Sequence, residues 1–156
     1  MEIERKFLLS ELPAEVAEAP STPLRQGYLA IGPHGEVRIR DAGGEFTLTA
    51  KSGAGIEREE RETSITGEQF EALWPSTEER RIEKRRYVLT EGDITYEVDV
   101  FEGSLKGLLL AEVEFHALED ARGFKPPAWF GAEVTYDVGY SNASLAVHGV
   151  PGGTPA

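Results

Sequence analysis

Glu2-Ile3-Glu4-Arg5-Lys6-Phe7 opens the chain on an alternation: Glu2, Glu4 and Lys6 fall on one face of an extended strand, Ile3 and Phe7 on the other. The period of two recurs along most of the 156 residues. Arg38 and Arg40 oppose Val37 and Ile39, and Lys51 shares a face with Thr47 and Thr49 against Phe46, Leu48 and Ala50. Glu60 and Glu62 share a face with Arg58, Lys84 and Arg86 oppose Tyr87 and Leu89, Glu97 and Asp99 oppose Tyr96, Val98 and Val100, and Glu112 and Glu114 oppose Ala111, Val113 and Phe115. The pattern predicts eight strands: 2–9, 24–31, 36–40, 45–52, 57–65, 80–90, 94–102 and 108–116. Gly-rich turns separate several of them, which favours antiparallel hairpins. Short helices are expected at 67–74, between a Thr66 cap and a Pro75 stop, at 141–147, and around 118–123. Residues 133–140 read as a further strand or an irregular closing segment, and residues 150–156, Val-Pro-Gly-Gly-Thr-Pro-Ala, as a disordered tail after one domain spanning 1–149.

Alternation alone fits a solvated outer face. These polar positions, however, come as acid-x-acid or base-x-base doublets, and like charges two residues apart repel. Eight strands can close into a barrel with room inside for one small ligand. Closure would gather one face of every strand into a shared lumen. If that face is the charged one, the apolar face lies outside, and the helices at 67–74 and 141–147 are available to cover it. Buried charges must then be paired, wet or occupied, since each uncompensated ion costs several kcal/mol. A metal phosphate complex meets this need. The acid doublets suit Mg²⁺ or Mn²⁺, which take oxygen ligands, and the base doublets suit phosphate oxygens.

Composition sets limits on partners. The formal net charge is -12, from 28 acidic and 16 basic residues, so the outer field repels nucleic acid and anionic lipid. With no cysteine there are no disulfides, thiolate metal sites or thiol nucleophiles, and the three histidines, His34, His116 and His148, are scattered. The first nine residues hold no uninterrupted apolar run, so a signal peptide or membrane anchor is not expected and the cytoplasm is the default.

The ordered series Glu2-Ile3-Glu4-Arg5-Lys6, Gln26-Gly27-Tyr28-Leu29, Val37-Arg38-Ile39-Arg40, Leu48-Thr49-Ala50-Lys51, Ile82-Glu83-Lys84-Arg85-Arg86-Tyr87, Glu97-Val98-Asp99 and Ala111-Glu112-Val113-Glu114-Phe115 resembles the CYTH family, the triphosphate tunnel metalloenzymes. The first motif matches that family's Glu-x-Glu-x-Lys signature, and Glu133-Val134-Thr135 to Ser141-Asn142 resembles its C-terminal end. The resemblance implies a closed antiparallel eight-stranded β-barrel tunnel with a charged lumen, flanked by a few short helices. It implies that Glu2, Glu4 and Glu114 hold the principal metal with Glu112 close by, and that Lys6, Arg38, Arg40, Lys51, Lys84 and Arg86 cradle the phosphates. Glu60, Glu62, Glu97 and Asp99 would place a second metal or orient the attacking water. Tyr28 beside a lysine, Lys84, resembles the pair implicated in leaving-group or water activation. The sequence departs from the pattern at Gly139, where similar chains carry a basic residue.

The chemistry this set suits is in-line attack of water on a terminal phosphoryl group, and the short single-domain form resembles microbial members of that family that hydrolyse inorganic tripolyphosphate, which makes tripolyphosphate the leading substrate. Alternatives are nucleoside or thiamine triphosphate hydrolysis, adenylyl cyclisation of ATP to cyclic AMP, and a non-catalytic module that binds triphosphate or polyphosphate. The expected partner is a small-molecule triphosphate, with no nucleic acid and no membrane, acting on a monomer or homodimer.

Overall fold

The computed structural model describes residues 2–54 and 56–152, with the side chains of residues 54 and 57 left aside. Eight strands form: β1 (Glu2–Leu8), β2 (Ser21–Gly32), β3 (Gly35–Ala42), β4 (Glu45–Ala54), β5 (Glu57–Ser64), β6 (Arg81–Glu91), β7 (Ile94–Phe101) and β8 (Leu109–Phe115). They close into an antiparallel barrel in the order β1-β5-β4-β3-β2-β6-β7-β8. Among the described residues four short helices accompany it: α1 (Ala14–Ala17), α2 (Gly67–Leu73), α3 (Leu118–Gly123) and α4 (Asn142–His148). Among the described residues no helix is long and apolar enough to cross a membrane.

Register decides what the lumen holds, because residues paired across an antiparallel ladder share a face. Glu4 faces Glu114, Lys6 faces Glu112 and Glu97 also faces Glu112. Arg86 faces Asp99, Lys51 faces Glu60 and Tyr28 faces Arg38. The charged positions of all these strands therefore point into one lumen. The seam between β1 and β5 is thin: among the described residues Glu2 lies opposite Arg58 and Ile3 opposite Glu57, and the Glu4 amide donates to the Ile56 carbonyl at 3.2 Å. Beyond it the free edge of β1 is taken by the chain's C-terminal segment: the Leu8 amide donates to the Ala132 carbonyl at 2.9 Å and the Val134 amide to the Lys6 carbonyl at 2.8 Å. That is how residues 133–140 close the fold without becoming a full strand; Glu133 makes one bridge to Phe7 and a short turn follows at Val138–Tyr140.

The apolar faces lie outside and are covered in patches. On β1, β7 and β8, Phe7, Tyr96 and Val113 pack with Phe124, Trp129 and Phe130, while Val98 and Ala111 pack with Val16 of α1. α2 covers the β2–β4 side, where Phe70 meets Phe46 with ring centroids 5.2 Å apart and Trp74 stacks on Phe70 at 5.0 Å. Thr66 starts α2 with a complete capping box to Gln69. The turn after α2 drives Thr77 against β2 so closely that a Cβ on Gly27 would sit 2.5 Å from Thr77, which explains a glycine inside a strand.

α4 corrects the sequence expectation. It does not cover the outside of the barrel; its Leu145 packs on Ile82, Phe101 and Leu110, whose positions share the inner face with Lys84, Asp99 and Glu112. The helix is thus a plug, and one end of the lumen is apolar because the plug needs something to bury against. Of residues 150–156, read as a disordered tail, Val150 packs on this plug and Pro151 lies against Gly139, while residues 153–156 lie outside the described residues.

Candidate active site in the barrel lumen

Glu2, Glu4, Arg38, Arg40, Lys51, Glu60, Glu62, Arg86, Glu97, Glu112, Glu114 and Asn142 line one cavity of about 420 Å³ inside the barrel. A second cavity of about 790 Å³ shares Glu4 and Lys51 with it and opens between α4, the β2–β3 hairpin and the C-terminal segment, also reaching Lys6 and Arg58. Of the residues expected at the site, Lys84, Asp99 and Tyr28 sit fully buried in the lumen wall and do not line the cavity surface.

Cations and carboxylates neutralise one another along the lumen. Arg86 donates to both Asp99 oxygens at 2.7 and 2.8 Å and to Glu97 at 3.0 Å. The Lys84 ammonium donates to Asp99 at 2.7 Å and to the Asn142 amide oxygen at 3.3 Å. Lys6 lies 3.7 Å from Glu112 and donates to the Tyr140 carbonyl at 3.3 Å. Lys51 donates to Glu2 at 3.2 Å, and Arg58 donates to Glu4 at 2.5 Å and approaches Glu2 at 3.7 Å. Arg38 and Arg40 are the exceptions. The carboxylate nearest Arg38 is Glu60 at 3.9 Å, and the buried Nε of Arg38 has no acceptor, nor has the Nε of Arg58; Arg40 makes no ion pair among the described residues and donates from Nε to the Gln26 amide oxygen at 3.1 Å.

This crowding moves proton affinities. Burial pushes Lys84 down to about 7 against the pull of Asp99. Burial likewise lowers Arg40 to about 10, helped by Arg38 and Arg86. Burial raises Glu2, Glu4 and Glu97, with repulsion from Glu112 adding to Glu4 and a hydrogen bond from the protonated Glu2 to Glu60 adding to Glu2. Burial also opposes ionisation of Glu112, but Lys6, Arg86 and Lys84 override it and hold that carboxyl well below the usual range. Tyr28 is pushed up to about 12 by burial, so its phenol is neutral at any working pH.

The expected pairing of Tyr28 with Lys84 is not made. The Tyr28 hydroxyl accepts from Gln26 at 3.3 Å, whereas Lys84 is engaged by Asp99 and Asn142. Two lumen residues escaped the sequence reading as site groups. Arg58 shares the period-two face of Glu60 and Glu62, so its signal was present. Asn142 arrives from the plug helix, and no strand periodicity points to it.

The acids offer only oxygen ligands, which fits a hard divalent cation. Glu4 stands directly opposite Glu114, a like-charge pair that a cation between them would relieve. Among the described residues no three acidic or histidine side chains already converge on one point, because Glu2 and Glu4 are held by Lys51 and Arg58. The donor chemistry fits, and the ligand set is not preassembled.

The pattern that defines the CYTH domain matches residues 1–149. The chain belongs to the CYTH family. Within it, the chain is similar to an inorganic triphosphatase of Nitrosomonas europaea, 48% identical over 149 residues that cover 94% of this chain and 97% of the relative. An inorganic triphosphatase of Acetivibrio thermocellus is 39% identical over 146 residues, 92% of each chain. A crystal structure of an inorganic triphosphatase aligns with a TM-score of 0.72 at 45% identity, covering 97% of both chains. The CYTH signature Glu2-Ile3-Glu4-Arg5-Lys6 is therefore a lumen strand, with Glu2, Glu4 and Lys6 inward and Arg5 outward, where Arg5 donates to Glu133 at 2.7 and 2.8 Å.

Proposed function

We propose that this chain hydrolyses inorganic tripolyphosphate to diphosphate and phosphate with the help of a divalent cation. The observation that carries the reading is a closed lumen whose basic side chains outnumber what its geometry pairs tightly, with Arg38 buried and its Nε lacking an acceptor. An anion with many oxygens supplies those acceptors. The names of the two relatives above, similar over nearly their whole length, support the same substrate.

On this reading Lys6, Arg38, Arg40, Lys51, Lys84 and Arg86 bind the phosphate oxygens. Arg58, not singled out from sequence, joins them by releasing Glu4. Glu2, Glu4, Glu112 and Glu114 would hold Mg²⁺ or Mn²⁺, which when bound supplies charge neutralisation at the phosphate oxygens. Glu60, Glu62, Glu97 and Asp99 orient water or take a second cation. Lys84, with its proton affinity brought near neutrality, contacts phosphate when charged and accepts a proton from the attacking water when neutral. Tyr28, neutral and buried beside Arg38, keeps its proton and does not serve as a base. The protein acts on this reading in the cytoplasm, as a monomer or homodimer, with residues 1–149 as its one domain.

The test is phosphate release from tripolyphosphate and from ATP, side by side, with Mg²⁺, with Mn²⁺ and with chelator. Fast metal-dependent release from tripolyphosphate over ATP is expected. Release from ATP alone, or from neither, would sink the proposal.

A further inference from the structure

Among the described residues, every one lining the lumen cavity is charged except Asn142. It is also the one lining residue that no barrel strand supplies, since it begins α4. The helix is held in place by Leu145 in the apolar plug and by Ser141, whose hydroxyl accepts from the Ser144 amide at 3.1 Å. A neutral amide among so many ions needs a reason.

Its hydrogen bond supplies one. The Lys84 ammonium has three donors and no acceptor, so the amide must turn its oxygen to Lys84, as the 3.3 Å contact has it. That orientation commits the amide NH2 to the opposite side, where it donates to no protein atom among the described residues. A cation at this place would crowd Lys84 and Arg86, and a carboxylate would repel a phosphate chain. An amide avoids both penalties, giving an acceptor to the lysine and a donor to an anion.

We propose that Asn142 positions substrate from the plugged end of the lumen, its oxygen fixing the Lys84 ammonium and its NH2 donating to a phosphate oxygen. The inference rests on the triphosphate reading and adds to it a residue delivered by the plug helix. It makes the seating of α4 part of substrate binding.

The experiment is titration calorimetry of tripolyphosphate into the full chain in chelator, for wild type, Asn142→Ala, Asn142→Asp, Lys84→Ala and the Asn142→Ala/Lys84→Ala double variant. Asn142→Ala should weaken binding about tenfold, the worth of one hydrogen bond to a charged group. Asn142→Asp keeps shape and the acceptor for Lys84 but replaces the donor with negative charge, so it should bind more weakly than the alanine variant. In the Lys84→Ala background the Asn142→Ala step should shrink, because part of its effect runs through the lysine. Asn142→Asp binding as tightly as wild type, or an undiminished Asn142→Ala step without Lys84, would overturn the proposal while leaving the triphosphate reading intact. Wild type that binds no tripolyphosphate in chelator would overturn this inference, and wild type that in addition releases no phosphate from it with Mg²⁺ or Mn²⁺ would overturn the triphosphate reading as well.

Discussion

Arg38 shows what a single lumen residue is kept for. A buried guanidinium with an unbonded Nε and a carboxylate no closer than 3.9 Å is an under-compensated charge, which costs the fold stability. Arg38→Met should therefore melt no lower than wild type, and higher if the methionine fills the space, while losing at least about tenfold in tripolyphosphate affinity. Differential scanning fluorimetry and calorimetry read the two together, and a variant that loses stability without losing affinity would refute this account. Lys84 sets a pH dependence. Its folded value of about 7 lies below the ordinary lysine range, so its cost to stability is fully present below that pH and is relieved as pH rises toward the unfolded value. The charged form is the better anion binder. Tripolyphosphate affinity should consequently fall as pH rises through about 7, and Lys84→Met should flatten that part of the profile. Equal slopes in the two proteins would assign the titration elsewhere.

At the level of elements, the plug helix and the cap of α2 make opposite predictions. Thr66→Ala removes one half of a capping box far from the lumen and should cost about 1 kcal/mol in urea unfolding with unchanged KM. Leu145→Ala opens a cavity in the plug and should cost about 2–5 kcal/mol, and it should also raise KM, because α4 carries Asn142 and the Tyr140 carbonyl that meets Lys6 lies just before it. An unchanged KM in Leu145→Ala would detach the plug from the site. The strands and three of the four helices were legible in the sequence, since alternation, caps and stops are local signals. α1 was not, because Ala14–Ala17 is a single turn with one buried residue, Val16, to mark it. Nor was the placement of α4: Leu145, Ala146 and Val147 give an apolar face that would suit the outside of a barrel as well as its end, and only the inward Ile82, Phe101 and Leu110 decide between them.

Across the whole molecule, the lumen's near balance of acids and bases sits inside a chain of net charge -12. A divalent cation that binds only the folded lumen must stabilise it by mass action. Mg²⁺ or Mn²⁺ should raise the melting temperature of wild type, and the rise should be smaller in Glu4→Gln, whose neutral amide no longer opposes Glu114; equal rises would remove Glu4 from the cation site. Closure and the inward charged face were both readable in the sequence, because doublets such as Glu97 and Asp99 make little sense on an open surface. What could not be read was which charges pair with which. Arg58 reaches Glu4 only because the β1–β5 seam sets Glu2 opposite it, a register that no local pattern encodes.

That same seam orders the way the chain can fold. The hairpins β2–β3, β3–β4 and β4–β5 join neighbours in sequence, but β1 needs β5 on one side and β8 on the other, with Ile3 opposite Phe115. During synthesis the first strand must wait until β8 has emerged, and closure is a long-range, entropically costly step that slows the last stage of folding. The inward face it leaves open meanwhile is charged and wets readily, so the half-made barrel offers water, rather than other nascent chains, the surface it has yet to enclose.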